Sequence, residues 1–101
     1  MDVRFWEDDP DAPYATLLSV IETYCHPSAW EGAYDQLRAL AAHSGDERMA
    51  VFKRELSAAV RDPSVVPVQA LREAAEYGDG GPAEFVTRLW RDLYPDDPSP
   101  K

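Results

Sequence analysis

Residues 78–95 read GDGGPAEFVTRLWRDLYP, and their punctuation decides the fold class. Gly78, Gly80 and Gly81 make a turn, Pro82 stands where a first helical turn tolerates proline, and Pro95 ends the segment. Between the prolines, Phe85, Val86, Leu89, Trp90 and Leu93 recur at the three- and four-residue intervals that gather side chains on one face of an α-helix. A strand would alternate, and this segment does not.

The same pattern recurs upstream. From Pro13 to Cys25, Tyr14, Leu17, Leu18, Ile21 and Tyr24 form a stripe that Asp11 can cap and Pro27 ends. Ser28-Ala29-Trp30-Glu31 has the S-x-x-E form of a capping box, which predicts a second helix from Ser28 with Trp30, Tyr34, Leu37 and Leu40 facing inward. His43-Ser44-Gly45 closes it, and Asp46 can cap a third helix carrying Met49, Phe52, Leu56, Ala59 and Val60 up to Asp62-Pro63. Pro67 can open a short fourth, with Val68, Leu71 and Ala75 inward. The expectation is an all-α fold, a compact bundle of about five short helices: an acidic arm over residues 1–12, a helical domain over 13–94 and a disordered tail over 95–101.

Composition narrows the function. With 19 acidic and 10 basic residues in 101, the chain carries a formal charge of -9, which repels nucleic-acid phosphates and anionic lipid. Direct binding to nucleic acid or membrane is therefore not expected, whereas cationic proteins are natural partners. A single cysteine, Cys25, permits no internal disulfide, and the N-terminal residues have neither the basic start nor the apolar run of a secretory signal. A cytoplasmic protein is expected.

Neither catalysis nor a cofactor is indicated by any motif. Cys25-His26 with a distant His43 falls short of the four ligands of structural zinc, and no local motif pairs Cys25 with a base. The glycines around Gly80 follow a helix rather than a strand, unlike a phosphate-binding loop. Acidic pairs such as Glu73 with Glu76 read as solvated helix surface. No enzyme, cofactor or metal is expected.

Charge placement is more informative. Residues 1–35 hold eight acids and one base, residues 36–61 three and five, and residues 62–101 eight and four. The acidity gathers in the first third: Glu7, Asp8, Asp9 and Asp11, continued by Glu22, Glu31 and Asp35 on the first two helices. Such a run reads either as a solubilising terminus or as an electrostatic docking surface for a basic protein. Trp6 precedes every expected helix and is expected to be partly exposed beside the acids, as interface anchor or as lid, while Trp30 and Trp90 are expected in the core.

The acidic N-terminal arm, the first helix ending in Tyr24-Cys25-His26 and followed by Trp30, the Phe52-x-x-Glu55-Leu56 segment, Asp62-Pro63, Tyr77-Gly78-Asp79-Gly80 and the closing Glu84-Phe85-Val86-x-x-Leu89-Trp90 helix together carry a resemblance. From about Tyr14 to Tyr94 the chain resembles a family of small helical immunity proteins of bacterial contact-dependent growth inhibition and related polymorphic toxin systems. The resemblance implies a cytoplasmic protein that binds and neutralises a cognate toxin domain, and the acidity suits a basic target such as a nuclease cleft. Trp6, Glu7, Asp8, Asp9, Asp11, Glu31 and Asp35 are the candidate contact residues. An acidic helical adaptor or regulatory protein that holds another cellular protein is the alternative.

Overall fold

A computed structural model describes residues 5–9, 11–26, 29–42, 47–76, 78 and 80–97. These residues form six α-helices, in order α1 Phe5–Asp8, α2 Ala15–Cys25, α3 Ala33–Ala42, α4 Glu47–Arg61, α5 Val68–Ala75 and α6 Pro82–Leu93, with a 3-10 turn at Pro63–Val65. There is no strand among the described residues, and the chain is an all-α bundle. Its radius of gyration, 12.5 Å, is close to the ~13 Å of a compact chain of this length.

The stripe of α6 is the most fully used, since Phe85, Val86, Leu89, Trp90 and Leu93 are all buried. It packs on α4, which brings Met49, Phe52, Leu56 and Ala59. Helix α2 lies against α1, α3, α4 and α5 and buries Leu17, Leu18, Val20 and Ile21. Asp62 ends α4 as expected and caps the short turn beyond it by accepting from the Ser64 amide at 3.2 Å. On α5 the buried residues are Ala70, Leu71, Ala74 and Ala75, while Val68 stands exposed, so the inward face begins later than the expected one.

The start of α2 corrects the expectation for Asp11. Tyr14 occupies the cap position with φ 66°, and its side chain does not cap the helix. The acceptor comes instead from α4: Glu55 takes the Tyr14 amide at 2.8 Å on one carboxylate oxygen and the Leu17 amide at 3.0 Å on the other. A carboxylate there satisfies two of the amides that a helix start leaves free and also meets the positive end of the helix dipole. Left-handed backbone at a tyrosine costs on the order of 1–2 kcal/mol, which these two charge-assisted bonds offset.

The start of α3 is also later than expected. Gly32 adopts φ 85°, a left-handed conformation that suits glycine, and the helix begins only at Ala33. Trp30 therefore precedes the helix, its carbonyl accepting the Ala33 amide at 3.0 Å, and helical periodicity does not govern its direction. Ser28, His43 and Asp46, to which caps, stops or ligand roles were assigned, lie outside the described residues.

At the other end, residues 95–97 form a turn, with the Asp97 amide donating to the Tyr94 carbonyl. Lys53 of α4 binds the Asp97 carboxylate at 2.8 Å and lies 4.8 Å from the centre of the Tyr94 ring.

Candidate functional site

The two tryptophans nearest the acidic residues exchange their expected roles. Trp6 is 3% exposed and belongs to the core, its indole N–H donating to Glu22 at 3.4 Å. This corrects the expectation of a partly exposed ring. Residues 5–8 form a helical turn folded back along α2, and the largest apolar side chain in reach covers the cluster beneath. Trp30, expected in the core, is 50% exposed, the most exposed large apolar side chain among the described residues. Its displacement follows from the late start of α3.

Glu7, Asp8, Asp9 and Asp11 are all exposed, and the buried Trp6 fixes the segment that bears them. Asp9 also accepts the Asp11 amide at 3.3 Å, a local turn that keeps both carboxylates at the surface. Glu31 and Asp35 are exposed as well, Glu31 directly after Trp30 in the chain and Asp35 in the first turn of α3. The seven candidate residues thus divide into a carboxylate run tied down by Trp6 and a second acidic pair that flanks an exposed indole.

An open groove of about 300 Å³ lies along this second element, lined by Tyr24, Cys25, His26, Trp30, Tyr34 and Asp35 among others. The Tyr24 and Trp30 rings meet edge to face, centroids 5.5 Å apart and planes at 63°. His26, at the end of α2, is 2.9 Å from Glu76, which ends α5. The Tyr34 hydroxyl donates to Asp92 of α6 at 2.8 Å, and Arg88 stands 4.0 Å from that same carboxylate. Charge placement in the sequence found Glu31 and Asp35, but periodicity missed Trp30, Tyr24 and Tyr34 as surface lining. The one usable signal was Gly32, whose left-handed backbone separates Trp30 from the helix.

Burial pushes the Cys25 thiol up from its ordinary 9.0 to about 12, with Arg88 opposing the shift. A thiol so held is protonated at neutral pH and a poor nucleophile. Burial raises the Tyr34 hydroxyl too, reinforced by its hydrogen bond to Asp92, and raises Tyr94 from 10.0 to about 12 with a smaller contribution from Asp97. In each case the folded chain keeps a proton that the unfolded chain releases earlier, so stability is complete below the unfolded values and declines as pH climbs from 9.0 toward about 12. The midpoint of thermal unfolding should fall steadily above pH 9.0, and a Cys25→Ser, Tyr34→Phe double variant should flatten the fall. A parent curve that stays level through that window would refute this linkage.

Among the described residues no three histidine, cysteine or acidic side chains are grouped to hold a metal, and no helix is long and apolar enough to cross a membrane. No protein-family model, curated protein or solved structure matches the chain.

Proposed function

We propose that this chain is an immunity-type inhibitor, a cytoplasmic protein that neutralises a cognate bacterial toxin domain by covering a cationic surface on it, a nuclease cleft being the best-fitting target. The observation that carries the reading is the exposed carboxylate run Glu7, Asp8, Asp9 and Asp11 on a segment that Trp6 anchors in the core. A charged surface already held in place loses less conformational freedom on binding than a free arm would. Inhibition of this kind needs only coverage and complementary charge. The field of a molecule with net charge -9 attracts a basic partner from a distance and raises the encounter rate.

The test uses the product of the neighbouring open reading frame as partner, scored first by whether co-expression of this chain rescues growth. Replacing Glu7, Asp8, Asp9 and Asp11 together by glutamine and asparagine should slow association at low salt by about tenfold or more and flatten its dependence on salt. An unchanged association rate would refute a docking role for the run. If co-expression with that neighbour fails to restore growth, the adaptor reading takes precedence.

A further inference from the structure

We propose that the groove beside Trp30 is a socket for an arginine side chain of a cationic partner protein, the guanidinium stacking on the indole while Asp35 of the lining accepts its N–H groups and Glu31, next to Trp30 in the chain, adds negative charge. The inference rests on the reading of the chain as a binder of cationic protein and assigns that binding a specific anchor. Three observations carry it.

The indole is both exposed and held. Trp30 is 50% exposed, whereas Trp6 and Trp90 are 3% and 6% exposed. Its backbone is held by the bond from the Ala33 amide and the left-handed Gly32, and its ring meets that of Tyr24 edge to face. A rigid, exposed aromatic loses little conformational freedom when a ligand covers it.

The flanking charge is available. No ion pair among the described residues involves Glu31. Asp35 reaches only Arg38, at 3.8 Å with the two side chains 82% and 58% exposed, an interaction weak enough to be exchanged for an incoming guanidinium. Arg88 stands 4.0 Å from Asp92 and over the Phe85 ring, contacts that lie on its own helix α6.

The chemistry excludes the other occupants. An apolar segment would bury carboxylates without partners, and a second copy of this chain would bring acid against acid. Arginine fits better than lysine because a planar guanidinium stacks on an indole and offers forked donors to carboxylates, whereas an ammonium is a strongly hydrated point charge.

The test titrates the whole chain, labelled with ¹⁵N, with blocked Gly-Gly-Arg-Gly-Gly and with its lysine counterpart, and follows the three indole N–H signals. The Trp30 signal should move saturably with the arginine peptide, which should bind about threefold or more tighter than the lysine peptide. A Glu31→Gln, Asp35→Asn variant should weaken binding by about threefold or more, while a charge-matched Glu47→Gln, Glu84→Gln variant, neutralised at exposed positions outside the groove lining, should stay within about twofold. Absence of saturable movement at Trp30, equal response to both peptides, or equal loss in the two charge variants would each overturn the socket. The functional reading is tested separately by the association rate with the toxin domain. A failed socket with intact steering removes the anchor alone, and failed steering with an intact socket removes the role of the carboxylate run alone.

Discussion

Trp6→Ala should cost the domain about 3–5 kcal/mol of folding stability, the range for deleting a buried aromatic. Small domains are stable by only about 5–15 kcal/mol, so the variant should unfold at a much lower denaturant concentration and at a markedly lower temperature. Trp6 is 3% exposed within the central cluster, and its loss opens a cavity over α2. Trp30→Ala should lie within about 0.5 kcal/mol of the parent, because half of that side chain is already in water. Chemical denaturation of the two variants side by side measures the contrast. Equal losses would mean that the two rings are not divided between core and surface as described.

Glu55→Ala should be the most damaging change at any partly exposed charged position, at about 2–4 kcal/mol. It leaves the Tyr14 and Leu17 amides without their acceptor and the left-handed Tyr14 without its compensation. Glu55→Gln keeps one acceptor oxygen and should recover about half of the loss. Equilibrium unfolding of both variants decides the point, and a loss below about 0.5 kcal/mol for the alanine variant would show that water replaces the carboxylate at no cost.

These two residues also mark where the sequence was legible. Helix α6 announced itself because its stop and start signals are local and its stripe is dense. The end of α4 and the start of α5 were legible for the same reason, through Asp62-Pro63 and Pro67. The cap of α2 was not, since its acceptor lies 41 residues away and no local pattern encodes it. The capping-box spelling at Ser28 drew the second helix too early, because glycine at position 32 can take a left-handed backbone that breaks the period, and a one-dimensional reading assumes that it does not. With that start misplaced, Trp30 was assigned to the core. The converse holds for Trp6, expected to be partly exposed as anchor or lid, because its four-residue helix is too short to show periodicity. The acidic members of the candidate site were readable from charge alone, whereas its aromatic member depended on a turn.

Lys53 and Glu55 stand two positions apart on α4, and two helical steps rotate a side chain by about 200°. They therefore leave α4 on nearly opposite flanks, one reaching the Tyr94–Asp97 turn and the other the start of α2. A single turn of one helix thus clamps segments from both halves of the chain. Release of the start of α2 would break the Glu55 bonds, and release of the Tyr94–Asp97 turn would break the Lys53 contact. The start of α2 and the Tyr94–Asp97 turn are thereby tied to one and the same turn of α4.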